Sequence, residues 1–190
     1  MSLYENSIST LQNYINSQKG IQLPNRYHVT VKRKDQEQYV DFICSMAQLP
    51  SRRIKAYADM LSGVASPIGM PYGVEYVNNI MEFVIEESFA SRKYFEDWIS
   101  LFFTDEFERS DSDYVNRINF VENATGEVKI QALSVQAKGT TPIINASYTL
   151  YECFPLELIP TKFDESMMNS TMKFTVNLFY SRYKYDIIGV

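Results

Sequence analysis

The side chains able to do catalytic or metal chemistry are few and scattered. His28 is the single histidine, and Cys44 and Cys153 are the only cysteines. A Cys–His nucleophile needs a thiol activated by a nearby imidazole, and neither cysteine sits in a nucleophile motif. Both lie in strand-like apolar runs, where a small buried core residue is the simpler role. One histidine and two distant cysteines lack the ligand spacing of a zinc site. The carboxylate pairs Glu86-Glu87 and Asp105-Glu106 are sequence neighbours. Neighbours point apart on an extended chain and are ordinarily solvated. Gly69 to Gly73 lacks the Lys-Ser/Thr ending and the strand–helix context of a phosphate loop. One enzymatic or ligand-binding arrangement remains, a small β-barrel whose pocket uses His28 and Glu86, and it requires the two within hydrogen-bond reach. With no catalytic set, metal site or cofactor motif in view, the residues favour a structural or binding protein.

The elements that would position these groups are bounded by length and composition. The 190 residues suffice for one domain with a sizeable core, and 45% of them are hydrophobic. Fourteen Tyr and twelve Phe lean toward strands. A net charge of −5 gives no footprint for gripping nucleic acid. No apolar run is long enough to span a membrane, and no membrane binding is expected. The N-terminus Met1-Ser2-Leu3-Tyr4-Glu5-Asn6 has neither a basic nor an apolar signal region, which places synthesis in a cytoplasm. The Asn-x-Ser/Thr triplets at Asn123, Asn145 and Asn169 are then chance matches.

The stretch Ile80 to Phe103 is the organising one. Met81, Phe83 and Ile85 alternate with Glu82, Val84 and Glu86, as in a strand with one buried face. Ser88 then offers a helix cap, and Phe95, Trp98, Ile99 and Phe102 fall on one helix face. This helix carries the only Trp and is expected to cover a β-sheet core. Upstream, Tyr4, Ile8, Leu11 and Ile15 predict an amphipathic helical arm over residues 1–24, ending near Gly20 and Pro24. A domain over 25–190 follows. Its expected strands are Tyr27–Arg33, Tyr39–Met46 and Ile54–Met60, and then a long loop, Ser62 to Asn79, rich in Gly and Pro. Thr104 to Asp113 reads as an acidic connector. Further strands are expected through Val128 to Ala132, over Ile143–Cys153 with Phe154-Pro155 as its end, and over Met172–Tyr185 as the longest. Leu156 to Asn169 reads as a loop. The fold class is mainly β, an antiparallel barrel or sandwich with one covering helix and an N-terminal helical arm. Phe83, Phe95, Trp98, Phe102, Phe174 and Val176 are its expected core.

Three stretches together carry a resemblance. Met81 to Glu87 followed by Arg92-Lys93-Tyr94-Phe95-Glu96-Asp97-Trp98 is similar to the strand-then-helix segment of contractile-tail bacteriophage tail tube proteins. Tyr151 to Leu158, Asn169 and Phe174 to Tyr180 resemble that family's closing pair of strands around a Pro, and Leu49-Pro50 matches its Leu-Pro after the first hairpin. The resemblance spans residues 26 to 185. It implies hexameric rings whose strands join into an inner barrel and stack into a tube inside a contracting sheath. Double-stranded DNA would pass through the lumen without sequence-specific contact. It also implies tail sheath and baseplate proteins as partners and a place in the virion, after assembly in the host cytoplasm. Inter-ring contact would fall to Gly63, Pro67, Gly69, Pro71, Tyr72 and Gly73. The lumen or ring-closure strands would present Glu82, Val84, Glu86, Lys173, Thr175 and Asn177. The arm of residues 1–24 is longer than a plain tube subunit needs. It keeps open a baseplate tube-initiator or a tail terminator ring of the same fold.

Overall fold

Side chains that alternate between core and solvent set most of the strands. The computed structural model describes residues 22–59, 68–104, 117–118, 124–134, 143–161, 163 and 170–188. The expected helical arm lies outside them, apart from the link beginning at Gln22. That link is tied down, because the Gln22 amide donates to the Leu133 carbonyl at 3.0 Å and its oxygen accepts from Asn145 at 2.9 Å.

Strand β1 (Tyr27–Arg33) buries Val29 and Val31. The single strand expected over 39–46 is instead two short ones, β2 (Val40–Asp41) and β3 (Cys44–Ala47). β2 returns along β1, whereas β3 crosses to a second sheet and pairs with β6 (Asn79–Val84). Phe42 sits at the crossing and packs against the rings of Phe83, Tyr94 and Phe95. This half-buried ring packs on the core where the two strands part.

The expected long loop over Ser62 to Asn79 is corrected by the structure. Residues Ile68–Val77 form a ten-residue strand, β5, paired with β4 (Ser51–Asp59) as a separate two-stranded hairpin. Pro71 is accommodated because the register shifts there: Lys55 opposes Gly73 and Ala56 opposes Pro71, leaving Tyr72 as the extra residue of a bulge. A proline, which has no N–H for the ladder, is tolerated at such a point.

Helix α1 (Ala90–Ser100) buries Ser91, Tyr94, Phe95 and Trp98. Ser88 does not cap it. The cap is Phe89, in the left-handed region at φ 55°, with no side-chain capping bond. Glu86 does that work from one turn earlier: its Oε2 accepts the Ser91 N–H at 3.1 Å, and a carboxylate is favourable at a helix N-terminus. Ser91 Oγ donates back to the Val84 carbonyl at 3.1 Å, which fastens the helix start to β6.

The two-residue strands β7 (Phe103–Thr104) and β8 (Arg117–Ile118) pair with each other, and the acidic stretch between them lies outside the described residues. β9 (Gly126–Leu133) follows β1 in full register. β10 (Ile144–Ile159) is the longest strand, at 16 residues, and it runs through Pro155 rather than ending there. The stretch expected as one strand over 172–185 divides into β11 (Lys173–Phe179) and β12 (Arg182–Ile187), broken at Tyr180-Ser181. The first half of β10 pairs with β9 and β12, and its second half pairs with β11. One strand therefore belongs to two sheets. The first runs β2-β1-β9-β10-β12 and the second β10-β11-β6-β3. Extra residues at Asn145, Glu152 and Leu156 shift its register, and Glu152 lies in the left-handed region at φ 54°. That shift brings Cys153 and Pro155 onto the core side after Leu150.

Val29, Val31, Val128, Ile130 and Leu150 of the first sheet meet Met81, Phe83, Phe174, Val176 and Leu178 of the second, with Phe95 and Trp98 of the helix beside them. The Trp98 indole N–H donates to the Ala124 carbonyl at 2.6 Å. Its ring lies over Gly126, where an added Cβ would be 2.7 Å from Trp98 Cζ2 and too close to the Lys32 carbonyl as well. Trp98→Ala is expected to lower unfolding free energy by about 3–5 kcal/mol through the void it leaves. Gly126→Ala is expected to lower it by about 1–3 kcal/mol through overpacking. Denaturant melts of the two variants check both.

Candidate functional site

Among the described residues, His28, Glu86, Cys44 and Cys153 each have a local partner or a buried setting, and Asp105-Glu106 lies outside them. His28 Nε2 lies 3.2 Å from an Asp41 carboxylate oxygen, an open pair across β1 and β2. Glu86 is engaged at the helix start. Burial pushes its carboxyl up, but hydrogen bonds from Ser91 and from its own backbone N–H outweigh this and hold it below the usual range. His28 and Glu86 thus each have a separate partner. Burial pushes the Cys44 thiol up to about 11, and its Sγ lies 3.1 Å from the Met46 carbonyl. Burial pushes the Cys153 thiol up further still. Burial of this kind disfavours the thiolate, the form in which a cysteine acts as a nucleophile. Among the described residues, no group of three or more His, Cys, Asp or Glu could hold a metal ion.

The outer face of the second sheet gathers most of the strand residues singled out in the sequence. β11 pairs with β6 so that Lys173 opposes Val84, Thr175 opposes Glu82 and Asn177 opposes Ile80. Opposed residues share a face, so Glu82, Val84, Lys173, Thr175 and Asn177 come together. Glu86 does not join them, because it lies beyond the end of β6 and turns to the helix. Lys173 Nζ is 2.8 Å from Glu82 Oε1, which also accepts from the Ser45 hydroxyl. These hydrogen bonds, Lys173 first and Ser45 second, hold the Glu82 carboxyl below its ordinary value. Asn177 Oδ1 is buried without a hydrogen-bond partner. On the opposite side of the sheet, Phe83, Phe95, Trp98, Phe102, Phe174 and Val176 are all buried. Phe83, Phe95 and Phe174 form a triangle with ring centroids 5.0 to 5.7 Å apart.

The hairpin is the second surface. Gly63 and Pro67 lie outside the described residues, while Gly69, Pro71, Tyr72 and Gly73 fall within β5. Cross-strand register divides the hairpin into two faces. Arg52 opposes Tyr76 and Ile54 opposes Val74 on one, and Arg53 opposes Glu75 and Lys55 opposes Gly73 on the other. The second face is charged, with Lys55 Nζ 3.5 Å from Glu75. The first carries Arg52 and the packed Tyr76 at its root, and beyond them an open apolar pair: Ile54 is 67% exposed and Val74 57%. Sequence reasoning missed Ile54 and Val74 as surface residues. The available signal was the alternation Val74-Glu75-Tyr76 against Arg53-Ile54-Lys55, masked by the neighbouring glycines and proline.

The Glu82–Lys173 pair has a pH signature. A carboxyl depressed on folding adds stability above its unfolded value near 4.5, and that stability is lost as pH falls through the lower folded value. Both partners are partly exposed, so Glu82→Gln is expected to cost about 0.2–1 kcal/mol at pH 7. The gap between variant and parent should close as pH is lowered below 4.5. Thermal melts of the two proteins across that range check the sign.

Comparison with known proteins places this architecture. Its fold is similar to a chain of the anti-feeding prophage (AFP) baseplate, with a TM-score of 0.63 and 12% identity over 88% of this chain and 97% of that one. It is similar to a chain of the sheath–tube complex of an extracellular contractile injection system (PVC), with a TM-score of 0.57 and 15% identity over 88% and 93%. It is also similar to the anti-feeding prophage tube-terminating cap, with a TM-score of 0.54 and 16% identity over 88% and 94%. At these identities the likeness is one of fold. No curated protein matches the sequence. The family model described as phage tail tube protein matches residues 8–186. The chain belongs to the phage tail tube protein family, and its role is that of a tail-tube-type structural protein.

Proposed function

We propose that copies of this chain close into hexameric rings that stack as the tube of a contractile phage tail, through which double-stranded DNA passes. The observation that carries this reading is the β4–β5 hairpin. It stands outside the two-sheet body with an open apolar pair on one face and a charged reverse. Exposed apolar side chains in a row gain by burial, at about 25 cal/mol per Å² removed from water. A neighbouring copy is the occupant this reading assigns to that face, with Gly69, Pro71, Tyr72 and Gly73 in the contact and Gly63 and Pro67 assigned to it as well. Ring closure uses strand edges, because among the described residues β2 and β3 end the sheet path and β12 pairs with β10 alone. An unpaired edge is a template for another strand. Glu82, Val84, Lys173, Thr175 and Asn177 are assigned to the ring-closure or lumen face. Glu86 serves it indirectly by anchoring the helix beside β6. A net charge of −5 gives passing phosphates little to hold. Sheath and baseplate proteins are the outer partners, and the chain would belong to the virion, after assembly in the host cytoplasm.

The likeness to a baseplate chain and to a tube-terminating cap favours a second reading, a tube initiator or terminator ring of the same fold. Negative-stain electron microscopy across a concentration series separates the two. Stacked tubes with a central channel are expected for a tube subunit, and single rings for an initiator or terminator. Monomers at every concentration, alone and with baseplate proteins, reject both. The double variant Ile54→Glu/Val74→Glu sets two like charges opposite each other and removes an apolar cross-strand pair, and is expected to lower unfolding free energy by about 1 kcal/mol, leaving the chain folded. It should nevertheless lose assembly, as read by sedimentation.

A further inference from the structure

The hairpin is useful as a contact only if it leaves the body at a fixed angle, and its root shows how that angle is held. Ser51 is the first residue of β4. Its backbone N–H donates to the Tyr180 hydroxyl at 3.1 Å, and the same hydroxyl donates to the Ser51 carbonyl at 2.9 Å. One phenol thus satisfies both backbone groups of one residue, as a neighbouring strand would. Tyr180 itself is 1% exposed and sits at the break between β11 and β12, where the chain passes from the second sheet to the first. Its ring lies 5.8 Å from Tyr76 of β5 and 6.2 Å from Tyr183 of β12, and Tyr76 and Tyr183 are 5.9 Å apart. Both legs of the hairpin therefore meet Tyr180, one through its hydroxyl and one through its ring. A second tie, the Asn79 amide to the Gln48 carbonyl at 2.8 Å, holds the chain just before β4 to the start of β6. It acts outside the hairpin legs.

We propose that Tyr180 is a positioning residue that aims the β4–β5 hairpin, so that the contact with a neighbouring copy forms without first ordering the hairpin root. The inference rests on the proposed role of the hairpin as that contact. Removing the hydroxyl leaves the ring packing in place and frees the root. A freed root must be immobilised on docking, which weakens association.

The test uses the full chain with Tyr180→Phe, the Ile54→Glu/Val74→Glu variant and the unsubstituted protein. Amide hydrogen exchange is read at Ser51–Lys55 and Val74–Val77 in the unassembled state, and the critical concentration for assembly is read by sedimentation. In Tyr180→Phe, exchange at the hairpin root is expected to rise on the order of tenfold, the scale of losing one or two hydrogen bonds. Exchange in β1, β9 and β6 should stay as it was, and the critical concentration should rise by a similar factor. Unchanged exchange at Ser51, or a rise shared equally by the core strands, overturns the proposal. So does faster root exchange with an unchanged critical concentration in a protein whose hairpin variant fails to assemble. If Ile54→Glu/Val74→Glu assembles as well as the parent, the hairpin reading fails. Exchange at Ser51 then decides alone whether Tyr180 holds the hairpin.

Discussion

Trp98 resting on Gly126 is the constraint on which the architecture depends. The indole reaches from α1 to the start of β9, where the missing Cβ lets it lie against the backbone, and its N–H meets the Ala124 carbonyl. The aromatic group Phe42, Phe83, Tyr94, Phe95 and Phe174 extends outward from that seat and joins the helix to the second sheet and to the crossing between β2 and β3. Aromatic pairs in tilted and edge geometries add about 0.5–1.5 kcal/mol each beyond their buried area. Helix α1 has no side-chain cap of its own and is 11 residues long, a length that is marginal in isolation. It is held by this packing and by Glu86 and Ser91 at its start. Glu86, which the sequence offered with His28 for an enzymatic or ligand-binding pocket, is thereby part of the frame.

The parts legible in the sequence were those with one buried face. β1 and β6 alternate cleanly, and the helix stripe of Phe95 and Trp98 lies where its spacing put it. Phe174, Val176, Leu178 and Tyr180 also keep their alternation, although the strand breaks after Phe179. What could not be read has physical reasons. In β10 each inserted residue moves the next side chain to the other face, so the two-residue period fails at Glu152 and again at Leu156. In the hairpin Tyr76 packs on the core while Ile54 and Val74 of the same face stay exposed, so burial does not follow the alternation along its length, and Pro71 and the glycines looked like loop.

The candidate surface was legible only as separate strands. Glu82 and Lys173 stood on the outward positions of two strands, but their ion pair depends on the register of β6 with β11. That register is a long-range property which neither strand states alone. The contact of Tyr180 with Ser51 spans 129 residues and joins a side chain to a backbone, a pairing with no sequence signature. His28 and the cysteines drew attention through their chemistry, yet one lies exposed beside Asp41 and the others are partly or fully buried thiols.

The shared strand has a mechanical consequence. In a sandwich of two independent sheets, a load along one face can be relieved by sliding one layer over the other, since only side-chain packing resists the shear. Here β10 is covalently continuous through both layers, with hydrogen-bonded neighbours along each half. Sliding would have to tear ladder bonds on both halves at once or straighten the kink at Glu152. Force applied to either layer is carried into the other through the main chain. The body therefore resists such sliding through its main chain as well as through its packing.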